Sequence, residues 1–188
     1  MSINLVKSQS IDLTKKNPGL KNLHIGLGWD ATDANGNEID CDVSVFMIDE
    51  NNKIPGDGYF IFYNNLKSSD GSTIHQGDNR TGEGDGDDEE IKLDLSKVDS
   101  KVLQMIFVVT IHEADSNNQD FSMVKNAFIR ILDDASGNEL CNYNLSEDFT
   151  GSDSVQIGRV YNYENEWHFE AMGDGFSGGL GTLLSMYN

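Results

Sequence analysis

The chain predicts an all-β sandwich on three observations. Short runs of β-branched and aromatic residues recur along it, each bounded by Gly, Asn or Asp, which is the pattern of strands joined by tight turns. No helical periodicity appears before the C-terminal tail, where Leu180, Leu183, Leu184 and Tyr187 fall at helical spacing after Gly178-Gly179. Its 188 residues, 37% of them hydrophobic, can bury a substantial core as one domain over 1–188.

In order, Ser2-Val6 and Ser10-Leu13 are short starter strands. Asn17-Pro18-Gly19 turns the chain into a strand over Leu23-Gly28, and Asp33-Asn37 forms a loop. Asp42-Asp49 reads as a strand closed by the turn at Glu50-Asn52, and Tyr59-Asn64 as another closed by Asn64-Asn65. Ser72-Gln76 leads into an acidic loop and Glu90-Leu95 leaves it. Gln104-His112 is almost continuously apolar, so it is expected to be buried on both faces. Ala127-Asp133, Glu139-Leu145, Val155-Glu164 and Trp167-Met172 complete the series. A weak internal repeat at an offset of 80 to 84 residues aligns Ile11-Lys15 with Leu93-Lys97 and Val45-Glu50 with Ile129-Asp134. Tyr63-Asn64 likewise aligns with Tyr143-Asn144, and Thr73-Gly77 with Ser154-Gly158. A duplicated half-sandwich is one origin for it; chance likeness between strands is the other.

Thirty-two acids against thirteen Lys and Arg leave a net charge of −19. Direct binding to nucleic acid or an anionic membrane would need positive surface, so both are disfavoured. The longest apolar run, Met105-Val109, is too short to span a bilayer, and Met1-Ser10 lacks a signal-peptide pattern. Two cysteines, Cys41 and Cys141, are no disulfide framework. The expectation is a soluble intracellular protein with reduced thiols.

The chemistry is concentrated in Gly77-Asp78-Asn79-Arg80-Thr81-Gly82-Glu83-Gly84-Asp85-Gly86-Asp87-Asp88-Glu89-Glu90, where seven carboxylates face one guanidinium. Two carboxylates about 6 Å apart repel by roughly 0.7 kcal/mol in water and roughly 3 kcal/mol at an effective dielectric near 20. Glycines between the acids let the backbone fold back and converge them. A hard divalent ion relieves that repulsion, and calcium accepts six to eight oxygens in irregular geometry. A solvated acidic loop is the bland alternative. Asp40 and Asp42, two apart on an extended segment, project to one face and can join the loop, as can Asp30; Glu113 is a weaker candidate.

Other motifs fail. Neither Asp78 nor Asp85 starts an EF-hand register, because Arg80 and Glu90 occupy positions that need Asp or Asn and Gly. Gly77 to Gly82 has phosphate-loop spacing, but Glu83 stands where Lys is required. Gly26-Leu27-Gly28-Trp29-Asp30-Ala31 lacks the following helix of a dinucleotide site. His24, His75, His112 and His168 are scattered and read as ordinary strand residues with satisfied hydrogen bonds. No nucleophile-and-base arrangement is legible, so no catalytic residue is named.

These residues resemble the tellurite-resistance TerD-type family. The likeness rests on Gly26-Leu27-Gly28-Trp29-Asp30, Asp40-Cys41-Asp42-Val43-Ser44-Val45-Phe46, Phe60-Ile61-Phe62-Tyr63-Asn64-Asn65 and the acidic stretch. It continues through Val109-Thr110-Ile111-His112-Glu113-Ala114 and Gly173-Asp174-Gly175-Phe176-Ser177-Gly178-Gly179-Leu180, so it covers nearly the whole chain. Cys41 and Glu113 depart from the family pattern, which has Leu and Asp there. The resemblance implies a β-sandwich in the bacterial cytoplasm that binds two adjacent calcium ions and has no enzymatic activity. It also implies a role in stress and tellurium resistance, as scaffold or sensor for a protein partner such as other tellurite-resistance proteins. The ligands it implies are Asp30, Asp40, Asp42, Asp78, Asn79, Glu83, Asp85, Asp87, Asp88 and Glu89, with carbonyls of Gly82 and Gly84. The competing reading is a metal-dependent hydrolase or a binder of a nucleotide or oxyanion on the same fold.

Overall fold

A computed structural model describes residues 2–30, 38–77, 86–145 and 147–188. The strands are β1 (Ile3–Leu5), β2 (Ser10–Asp12), β3 (Asn22–Gly28), β4 (Cys41–Ile48), β5 (Phe60–Ile61) and β6 (Thr73–His75), followed by β7 (Glu89–Asp94), β8 (Gln104–Ile111), β9 (Phe128–Asp133), β10 (Glu139–Asn144), β11 (Ser154–Tyr163) and β12 (Glu166–Phe176). Two short helices, α1 (Ala114–Asn117) and α2 (Gly179–Ser185), complete the elements used below. One sheet runs β1-β10-β9-β3-β7-β6 and the other β2-β12-β11-β8-β4-β5. Among the described residues only β1 against β10 is parallel, so the first sheet is mixed and the second antiparallel. The predicted sandwich with a short C-terminal helix is what forms.

Alternation along the strands places the core. Leu23, Ile25 and Leu27 of β3 and Ile129 and Ile131 of β9 point between the sheets, against Val43, Val45, Met105 and Phe107. Fully burying such a side chain is worth about 1.5–3 kcal/mol, so a one-residue slip in β3 would be costly. The second sheet is covered on its outer face as well. Phe46, Ile48, Ile106 and Val108 form a separate cluster beneath Leu183 and Tyr187 of the C-terminal segment. That second layer explains why β4 and β8 lack alternation: both faces are apolar.

Two expectations are adjusted. The run Tyr59-Asn64 gives only the two-residue strand β5, because Phe62 and Asn65 pair across a tight turn, with Phe62 N–H to Asn65 O at 3.1 Å and Asn65 N–H to Phe62 O at 2.9 Å. β12 runs past Met172 to Phe176. Gly173, with φ 66°, lies where a side chain would collide with the Tyr143 hydroxyl. For the internal repeat, the order β10-β9-β3 in one sheet matches β5-β4-β8 in the other; beyond that the hairpins enter in opposite senses, β7 inside β6 but β11 inside β12. Cys41 and Cys141 are both buried and unbridged.

Candidate metal centre

The ends of three strands bring acids to one corner of the sandwich. β3 runs out through Trp29, whose side chain is buried in the core, to Asp30. β4 begins after Asp40, and β7 begins at Glu89 directly after Asp88. Along the start of β4 the side chains alternate: Cys41 and Val43 enter the core, and Asp42 emerges on the opposite face.

Backbone donors and histidines hold these acids. Trp29 N–H donates to Asp88 Oδ2 at 2.7 Å. Asp30 N–H donates to Lys125 O at 2.8 Å, and the Asp30 carboxylate accepts from Asn126 Nδ2 at 3.1 and 3.0 Å. Asp40 O accepts from His112 N–H at 2.7 Å, and His112 Nδ1 stands 3.5 Å from Asp42 Oδ2. Glu89 is only 2% exposed. Its Oε2 accepts Val43 N–H at 3.0 Å, on the edge of β4 that β5 leaves unpaired, and faces His75 Nε2 at 3.2 Å. Gly77 N–H donates to the other ring nitrogen, His75 Nδ1, at 3.1 Å.

Charge is crowded here. Burial first, then Asp40, Asp42, Glu89 and Asp88, push the Cys41 thiol well above its ordinary value, so four carboxylates act at one point. Burial raises the Glu89 carboxyl, with His75 and the Val43 amide offsetting and Asp42 adding to the rise. Burial also raises Asp88; the Trp29 amide opposes this, and Asp87 and Asp30 add to it. A site that disfavours its own ionised carboxylates suits a cation.

Asp87 goes elsewhere. Sequence reasoning places it with the ligands, but it sits over Gly26 on the outer face of the first sheet, with both oxygens on Arg130: Nε to Oδ1 at 2.8 Å and Nη2 to Oδ2 at 3.0 Å. His24, Asp87 and Glu90 have donor atoms within 4.8 Å of one another. Cations already serve that group. Arg130 takes Asp87, and Lys92 Nζ lies 3.0 Å from His24 Nδ1 and 2.6 Å from Asp134. These residues do not fit a metal.

Among the described residues, no three acids of the strand-end corner come within 4.8 Å of one another. Asp78, Asn79, Gly82, Glu83, Gly84 and Asp85 lie outside the described residues. The described ends of their segment, Gly77 after β6 and Gly86 before β7, belong to adjacent strands tied by Gln76 N–H to Glu90 O at 2.9 Å. Sequence reasoning missed His75 and the Trp29 and Val43 amides as partners of the acids. The signal for His75 was its place at the strand end leading into the acidic stretch; the amides had none.

The TerD domain family matches residues 1–187 of the chain. The "Tellurium resistance protein TerD" of Serratia marcescens is 47% identical over 187 residues, covering 100% of this chain and 97% of that protein. "General stress protein 16U" of Bacillus subtilis (strain 168) is 44% identical over 188 residues, covering 100% and 97%. Among solved structures, a homologue of telluride resistance protein (TerD) from Streptomyces coelicolor A3(2) shares the fold with a TM-score of 0.70 at 21% identity, over 90% of this chain and 99% of that one. With a full-length family match and relatives this similar from end to end, the chain belongs to the TerD domain family of tellurium-resistance and stress-response proteins.

Proposed function

We propose that the chain is a calcium-binding member of this family, a cytoplasmic scaffold or sensor rather than an enzyme, whose Gly-Asp loop and strand-end acids hold two ions. One observation carries the reading. Glu89 is buried in a fixed position at the corner where Asp40, Asp42 and Asp88 also act, with His75 and the Val43 amide as its partners. The donor set is oxygen-rich, and Cys41 is turned into the core with its thiol protonated. That chemistry fits a hard cation better than zinc. Asp30, Asp40, Asp42, Asp88 and Glu89 supply the sandwich side of the site. Asp78, Asn79, Glu83 and Asp85, with carbonyls of Gly82 and Gly84, supply the loop side. A bound calcium ion contributes positive charge and demands six to eight oxygens. The chain's part is to hold its strand-end carboxylates where the loop can close over them, and an ordered loop then offers a partner a surface that the ion-free chain lacks.

Calorimetric titration with calcium tests this. Asp88→Asn and Asp85→Asn are expected to weaken binding about tenfold or more, roughly 1.4 kcal/mol each, while Glu50→Gln on an exposed turn leaves it unchanged. Wild-type heats in both ligand variants would show that the ligands lie elsewhere.

A further inference from the structure

Beside α2 two cavities adjoin. One, of about 550 Å³, is lined by Ile54, Phe60, Phe62 and Leu184, with Asp57 at its rim. The other, of about 280 Å³, lies between Tyr63, Leu180 and the start of α1, and carries Asp42, Glu113, Asp115 and Asp153. Leu180 and Leu184 stand one helical turn apart on the same face of α2. Across from them the aromatic rings form a ridge: Phe60 stacks on Phe62 with centroids 4.5 Å apart, and Phe62 meets Tyr63 edge-on at 5.2 Å. The two cavities are therefore the apolar and acidic ends of one cleft between the helix and the β5 turn. Tyr63 is 42% exposed along it.

The charge of the lining decides what the cleft can take. Among the described residues, no Lys or Arg lines either end. Asp153 is spent on the amides of Gly178 and Gly179, and Asp42 faces His112. Asp57, Glu113 and Asp115 have no ion pair and no side-chain hydrogen bond among the described residues. Their exposed carboxylates line the cleft without a cationic partner among the described residues. We infer that the cleft docks a short amphipathic segment of a partner protein, with a large apolar side chain against Phe60, Phe62 and Leu184 and Lys or Arg beside Asp115 and Glu113. A second copy of this chain is a poor occupant, since each carries a net charge of −19. Nucleic acid and anionic lipid are repelled for the same reason. Asp42 at the acidic end is also a proposed calcium ligand, so the inference is tested at Phe62, Asp57 and Asp115, which are not.

The probe is a fluorescein-labelled decapeptide with Leu-Phe at one end and Lys-Arg at the other, read by fluorescence anisotropy in calcium and in chelator. A control peptide has Gly in place of Leu-Phe. Phe62→Ala is expected to weaken binding of the probe at least tenfold. The pair Asp57→Asn with Asp115→Asn is expected to weaken it three- to tenfold and flatten its salt dependence, and the control peptide should bind all variants equally weakly. Melting curves identify any variant that has lost its fold; Tyr63→Ser, at a more exposed position, then replaces Phe62→Ala. Equal affinity of wild type and variants for the probe, no binding at all, or a wild-type dimer dispersed by Phe62→Ala would overturn the inference. The outcome in chelator separates it from the calcium site, whose failure would leave the cleft's binding intact.

Discussion

Both oxygens of Asp87 rest on Arg130, and the space they occupy exists only because position 26 has no side chain. The Asp87 side chain is 2% exposed, so its charge depends on that partner. Removing one member of a buried pair costs about 3–5 kcal/mol; the partly exposed Arg130 puts this one near the lower end. Arg130→Met is therefore expected to lower the melting temperature by about 6–12 °C, at roughly 2–4 °C per kcal/mol for a chain of this length, while leaving the calcium titration unchanged. A large fall in calcium affinity instead would return Asp87 to the ligand set. Asp70 is a second structural acid. Burial alone would raise its carboxyl, but hydrogen bonds from Ser68, the Asp99 amide and Ser72 outweigh burial and lower it. A carboxyl lowered in the fold contributes stability that is present above the ordinary carboxylate range and is lost as pH falls through the folded value. Asp70→Ala should cost about 2 kcal/mol at pH 7, with the gap from wild type shrinking in urea melts at pH 3. A gap independent of pH would assign the loss to packing alone.

At the scale of elements, α2 is held at its start by one buried side chain. Asp153 accepts from Gly178 N–H at 2.8 Å, Gly179 N–H at 2.9 Å and Ser154 Oγ at 2.5 Å. At the other end, Gln156 Nε2 donates to the Tyr187 hydroxyl at 2.8 Å. Gly178 and Gly179 have φ of 99° and 66°, conformations that suit glycine. Asp153→Ala should release the helix, speed hydrogen exchange over 179–187 at least tenfold, and raise dye binding as Phe46 and Ile48 are uncovered. Unchanged exchange there would show that the apolar contacts suffice. The strands were legible because β-branched runs ended at Gly, Asn or Asp, and the tail because Leu180, Leu183 and Leu184 keep helical spacing. What stayed hidden depended on partners distant in sequence. β12 passes through Gly173 and Gly175 because Tyr143 and Ser152 crowd those positions, and α1 is a four-residue turn too short for any periodicity. The acids of the strand-end corner were legible as a composition. Their sorting, with Glu89 to His75 and Asp87 to Arg130, was not, because sheet pairing alone brings those partners together.

For the whole molecule, a net charge of −19 is spread over structural acids, the strand-end corner and the cleft beside α2. A cation at the corner would lower repulsion where burial makes it most costly, and ion binding would appear directly as folding stability. At a hundred times the dissociation constant each independent site adds about 2.7 kcal/mol. Thermal melts of the same preparation in millimolar calcium and in chelator test the account most directly. It predicts a higher melting temperature with calcium, by about 5–10 °C per saturated site, and a reduced gain in Asp88→Asn. Superimposable curves with calcium and with chelator would contradict it.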